Sequence, residues 1–191
     1  MKVNHLPLPN DQKDDPLWNW GGFEIKGTSQ CQGNSNQDLL YSISKEFNIK
    51  DIEFNSTFDY YAKFFAFWTT FNDQPNRKDF MFSGNHAWFM NKLFEIHDIP
   101  VKASVVNIPN KAFIIEQALK VTNRPVSLGT LLTSSGHWIS VHGYDDGVFN
   151  CNDPYGQHPY SKNQKGGYVD YKYSYLEKFT VRRLLTVEDK K

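Results

Sequence analysis

The spacing of the apolar residues changes once along the chain, and that change constrains the fold more than any other feature. In the first half the period is helical. Leu39, Leu40, Ile43 and Phe47 share one face of a helix expected from about 34, with Ser35 and Asp38 spaced like a capping box. A second helix is expected over about 58–70, begun by Asn55 or Ser56, and a third over about 85–97, stopping before Pro100. The stretch VKASVV reads as a short strand, and NKAFIIEQALKV as a fourth helix capped by Asn110. After that the period shortens. The segments RPVSLGTLL, HWISVHGY, GVFNCND, YVDYKYSYL and FTVRRLLTV read as strand-like or mixed, separated by Gly, Asp and Asn turns. Helices first and strands afterwards imply an α+β fold rather than alternating βαβ units. The expected helical part covers about 31–120 and the sheet part about 121–187. Residues 1 to 30 are broken up by Pro7, Pro9, Pro16 and Gly21-Gly22.

A chain of 191 residues fits a single domain over 1–191. A chain of this length buries roughly 70% of its unfolded surface, so it needs no disulfide or metal to fold. Lys plus Arg number 21 and Asp plus Glu 21, which argues against a nucleic-acid partner. The pair Arg182-Arg183 is short, lies in an apolar stretch and reads as a solvated edge. No run of 18 apolar residues is present, so no membrane insertion is expected. The opening MKVNHLPLPNDQKDDP has no apolar core of a secretory signal, which implies synthesis in a cytoplasm and, for any action outside it, another route of delivery. Neither Cys31 nor Cys151 has zinc-ligand spacing, and no metal or other cofactor is implied. Aromatics make up 16% of the chain and crowd between Phe54 and Phe94, where they read as helix-helix core or, in part, as the lining of a groove for peptide or glycan.

The stretch SSGHWISVHGYDDGVFNCNDPYG places His137, His142, Cys151 and Asp153 on one hairpin. Two readings are open: a half-buried hairpin with some polar residues, or two members of a catalytic site. Alternation puts His137, Ile139 and Val141 on one face and Trp138, Ser140 and His142 on the other. A three-residue loop Asp145-Asp146-Gly147, with Gly147 left-handed, pairs Tyr144 with Val148 and sets Ile139 opposite Asp153. His137 is then diagonal to Asp153 on the same face. A two-residue turn puts Asp153 on the other face. An Asp beside a His holds its tautomer and stabilises the imidazolium. His5, His86, His97 and His158 show no evident partner in the sequence.

A nucleophile for such a pair lies elsewhere. Cys31 stands directly ahead of the first predicted helix, whose N-terminal amides favour a thiolate. Cys151, in mid-strand, reads as a small buried hydrophobe. A Cys at a helix start, followed far downstream by a strand His and then Asp or Asn, is the order found in papain-like thiol enzymes.

The ordered set QKDDPLWNW, SQCQGNS, NRPVSLGTLLTSSGHWISVHGYDDGVFNCNDPYG and GGYVDYKYSYLEKF resembles papain-like cysteine peptidases of the bacteriocin-processing, double-glycine leader peptidase type. More narrowly it resembles their stand-alone bacterial and phage relatives. The resemblance implies a papain-like fold, with N-terminal helices packed on a C-terminal antiparallel sheet. It implies Cys31 as nucleophile, His137 as general base, Asp153 as the residue that orients His137, and Gln12 as side-chain donor to the oxyanion, with Gln30 as the rival donor. The implied function is cleavage of peptide or amide bonds in a peptide or peptidoglycan stem peptide, as a phage lysin or virion-borne cell-wall hydrolase delivered by a holin or a tail. The alternatives are a cytoplasmic protein-processing peptidase and a non-catalytic binding or structural module. The last is suggested by Gln32-Gly33-Asn34-Ser35, which departs from the residues that usually follow the nucleophile.

Overall fold

The computed structural model describes residues 3, 18–20, 23–25, 30–72, 82–108, 112–161, 164–179 and 183–191. Two short paired strands, β1 (Trp18–Trp20) and β2 (Phe23–Ile25), precede helix α1 (Cys31–Phe47). Helices α2 (Thr57–Phe71) and α3 (Ser83–Ile96) follow, then strand β3 (Val101–Asn107) and helix α4 (Phe113–Thr122). The remainder is β4 (Val126–Thr130), β5 (His137–Asp145), β6 (Val148–Asp153), β7 (Gly167–Lys172), the short helix α5 (Tyr173–Lys178) and β8 (Arg183–Asp189). Strands β3 to β8 form one antiparallel six-stranded sheet in the order β3-β8-β4-β5-β6-β7. The fold is therefore α+β, with the early helices packed on an antiparallel sheet.

The sheet separates two apolar cores, and strand alternation decides which residue enters which. On one face Ile115 and Leu119 of α4 meet Val126, Leu128, Ile139, Val141, Phe149, Cys151, Tyr171 and Leu184. On the other, Leu39, Leu40 and Ile43 of α1 join Tyr60, Tyr61 and Phe64 of α2, Phe89, Met90 and Phe94 of α3, and Leu185 and Val187. Most of the aromatic crowd is therefore core. Its rings meet edge-on or offset, as at Tyr60–Phe89 (5.5 Å) and Phe64–Phe89 (5.1 Å).

Helix α1 starts at Cys31, earlier than its apolar pattern implies, and Ser35 and Asp38 lie inside it rather than capping it. Both are buried and serve the sheet. Ser35 Oγ shares a 2.6 Å hydrogen bond with Ser127 Oγ of β4, while Asp38 accepts from Ser140 Oγ of β5 and, at 3.0 Å, from Asn152 Nδ2 of β6. These strand residues alternate with the apolar ones that face α4. The helix thus docks on the sheet through hydrogen bonds, which permit one register and one orientation. Ser56 caps α2, its hydroxyl accepting from the Asp59 amide at 3.1 Å. Asn110 lies outside the described residues. The C-terminal part of YVDYKYSYL is helical, because Leu176 turns inward to the α4-side core.

Strand β3 is an edge of the sheet, and α3 covers that edge. Asn91 donates to the Ala103 carbonyl at 2.9 Å and accepts from the Ala103 amide at 2.8 Å, replacing the missing strand neighbour. No helix among the described residues is long and apolar enough to cross a membrane.

Candidate active site

The hairpin closes differently from the three-residue loop expected above. Asp145 pairs with Val148, so the loop is the two residues Asp146 and Gly147, at φ 44° and 75°. Positive φ at both central positions is the turn that suits right-twisted strands. Continued unbroken, this register sets Asp153 on the face away from His137. It does not continue. Gly143 pairs with Asn150 but Val141 pairs with Cys151, leaving His142 as an extra residue. This bulge moves the register by one, so that Ser140 pairs with Asn152 and the next residues along, Ile139 and Asp153, fall on the face of His137. The expected relation of His137 to Asp153 is present, but the additional residue lies within β5 rather than in the loop.

His137 opens β5 and Asp153 ends β6. The His137 Nε2–H donates to Asp153 Oδ1 at 2.7 Å, and both side chains are fully buried. The remaining acceptor capacity of the carboxylate is filled from its surroundings. The Tyr155 amide donates to Oδ1 at 2.8 Å, and the Tyr160 and Tyr171 hydroxyls donate to Oδ2, each at 2.8 Å. Burial and the Asp153 charge push both phenols upward, so they remain donors. The Tyr155 ring stacks on the imidazole, 4.9 Å between centres and 8° between planes. Three donors and a stacking ring thus fix the pair in position and tautomer.

Cys31 is the first residue of α1, half-buried, where the helix N-terminus meets the opening of β5. Among the described residues the other imidazole nitrogen, Nδ1, has no hydrogen-bond partner, and Cys31 is one of the groups that act on this ring. Burial draws the His137 pKa down. The Asp153 carboxylate, its hydrogen bond and Cys31 together outweigh this and hold it up at about 9, against an ordinary 6.5. The imidazole is consequently cationic at neutral pH, beside a sulfur at a helix N-terminus.

Cys151 is buried in the α4-side core and its thiol is pushed up, by burial first and then by Asp153 and Asp170. It is not brought to His137. Gln12 lies outside the described residues. Gln30 is fully buried directly before α1. The backbone N–H groups of the first helical turn, free of intrahelical carbonyls, face the same end. Gln32 is also buried there, with its Nε2 lacking a hydrogen-bond partner among the described residues.

Of the histidines expected to show no partner, His86 and His158 have one, and His5 lies outside the described residues. His86 Nδ1 bonds the Tyr60 hydroxyl at 2.6 Å, and His158 Nδ1 bonds that of Tyr175 at 2.7 Å. His142 is buried against the ring of Tyr168. The sequence reading missed Tyr155, Tyr160 and Tyr171. The aromatic stacking and hydroxyl bonds that select them arise only when the segment after Asp153 folds back over the hairpin.

No known family profile matches the sequence, and no curated protein matches it. Among solved structures the chain is similar to a double glycine motif protease from an AMS/PCAT transporter, solved in complex with the leader peptide, with 11% identity and a TM-score of 0.49 over 98% of this chain and 97% of that one.

Proposed function

We propose that the chain is a papain-like cysteine peptidase that cleaves a peptide or amide bond through an acyl-enzyme, with Cys31 as nucleophile, His137 as acid and base, and Asp153 as the group that orients it. The observation that carries the reading is the buried His137–Asp153 pair, its carboxylate fully satisfied, with Cys31 among the groups that act on the same imidazole.

In this reading the Cys31 thiolate attacks the substrate carbonyl carbon, and the C=O electron pair moves to oxygen. The first amides of α1, with a glutamine side chain (Gln12, or Gln30), stabilise that oxyanion. On collapse the C–N bond breaks and the His137 imidazolium gives its proton to the departing amine. Water then attacks the thioester while His137 takes a proton from it, releasing acid and free thiol. The substrate class we favour is the peptidoglycan stem peptide, acted on as a cell-wall hydrolase of phage or virion type, with protein processing in a cytoplasm as the alternative substrate.

Iodoacetamide at neutral pH is the first test. It should alkylate Cys31 rapidly and leave Cys151 unmodified, as read by peptide mass spectrometry, and Cys31→Ala should abolish turnover in a protein that still folds. Slow labelling of Cys31 would make the chain a non-catalytic module. Loss of turbidity of purified cell walls, wild type against Cys31→Ala, then separates wall hydrolysis from protein processing.

A further inference from the structure

Arg183, taken from the sequence as part of a solvated edge, is instead half-buried between two clefts, while Arg182 lies outside the described residues. The first cleft, about 210 Å³, is bordered by Thr130, Gly136, His137, Trp138, Ser83 and Arg183. The second, about 200 Å³, shares Ser83 and Arg183 and runs on past Phe82 to Val105 and Asn107 of the edge strand β3. The two make a groove that leads from His137 along the guanidinium. The sheet sets its width. Gly129 pairs with Trp138 on one side and with Arg183 on the other, so a residue with no side chain separates the two that wall the cleft.

Among the described residues no carboxylate lies within ion-pair distance of Arg183. One of its five N–H donors goes to Ser83 Oγ at 3.2 Å, and its plane lies 5.7 Å from the Phe82 ring centre. Arg124, the other arginine with a described environment, is saturated by Glu46 and Asp189. A half-buried arginine with most donors unused by the described residues, in a cleft shared with the acid-base histidine, is a receptor for a planar anion. The cleft borders His137 and does not border Cys31. His137 delivers its proton to the departing amine, so the chain segment lying on its side is the leaving one.

Resting on the peptidase reading above, we propose that Arg183 makes the leaving-group side of the groove a carboxylate-binding subsite. It selects substrates that carry an acidic side chain or a free chain-terminal carboxylate shortly beyond the cleaved bond.

The test uses affinity labels whose chain runs from the reactive carbon in the C-terminal direction, as a leaving segment does. Iodoacetyl-Ala-Glu-amide carries only a side-chain carboxylate, iodoacetyl-Ala-Gln with a free C-terminus only an α-carboxylate, and iodoacetyl-Ala-Gln-amide neither. Labelling of Cys31 in the intact protein is followed by mass spectrometry. At least one acidic label should react about tenfold faster than the neutral one, the ratio that ~1.4 kcal/mol supports. Which acidic label wins identifies the source of the carboxylate. The ratio should fall to near one in Arg183→Gln and be partly kept in Arg183→Lys. Equal rates for all three labels in the wild type, with iodoacetamide still fast, would overturn the subsite and leave the peptidase standing. Slow iodoacetamide labelling would sink both. A preference that survives in folded Arg183→Gln would remove Arg183 from the explanation.

Discussion

Asp38 has the highest electrostatic stake of any single residue in α1. Burial raises its pKa to about 6 from an ordinary 3.8, and the hydrogen bonds from Ser140 and Asn152 only partly counter this. The folded state therefore binds a proton more tightly than the unfolded chain. The stability associated with the protonated form is full below about 4 and is lost as pH rises through about 6, after which the dependence is flat. An amide oxygen accepts the same two hydrogen bonds and never acquires charge. Asp38→Asn should thus be more stable than wild type above pH 6, by on the order of 3 kcal/mol. The advantage should vanish near pH 4. Urea midpoints at pH 4 and pH 7.5 check both arms, and an unchanged difference between them would contradict the burial of a titrating carboxylate.

Within the hairpin the element that sets the geometry is a backbone irregularity, the bulge at His142. If His142 acts through backbone length alone, His142→Ala should keep most of the reactivity of Cys31 towards iodoacetamide. Deleting residue 142 should abolish it, because a one-residue slip turns His137 away from Asp153. His137→Ala should behave like the deletion. Near-UV circular dichroism distinguishes a folded, misregistered protein from an unfolded one. If the His142 and His137 alanine variants lose reactivity equally while both remain folded, the assignment of His137 fails. Gly147, at φ 75°, and Asp146, at φ 44°, show why a two-residue loop forms: Asp-Gly accepts the left-handed region at both positions.

At the scale of the whole molecule, one arginine ties the C-terminal end of α1 to the sheet. Arg124 stands before β4, donates to both Glu46 oxygens at 2.7 and 2.6 Å near the end of α1, and reaches Asp189 at the end of β8 at 2.7 Å. Cys31 is at the other end of the same helix, ~25 Å away at the usual rise per residue. Arg124→Met should lower stability by about 1–3 kcal/mol, since the guanidinium is nearly buried and its bonds are charge-assisted. Cys31 labelling at 25 °C should change little. The urea midpoint and the labelling rate, measured on one preparation, separate the two effects. A large fall in labelling with an intact midpoint would mean that the clip positions the site instead of holding the fold.

The amino-acid sequence by itself determined what depends on near neighbours. Apolar periodicity located α1 to α4 and the strands of the six-stranded sheet, but not the short pair β1 and β2 in the stretch read as broken up. The order of helices and strands set the fold class, and strand alternation kept His137 apart from His142. The Cys-His-Asp order pointed to the residues that stand together at the candidate site. What the tertiary structure decided depends on partners far along the chain. Ser35 and Asp38 became docking groups for α1 because β4, β5 and β6 present Ser127, Ser140 and Asn152 at the matching positions. The extra hairpin residue went to His142 because the short Asp-Gly turn and the pairing beyond it demand different registers. Tyr155, Tyr160 and Tyr171 became the setting of the His-Asp pair, and Arg183 came beside His137, only when β7 and β8 joined the sheet. Local free energies fix period and turn type, whereas a side chain's role follows from what the folded chain brings to it.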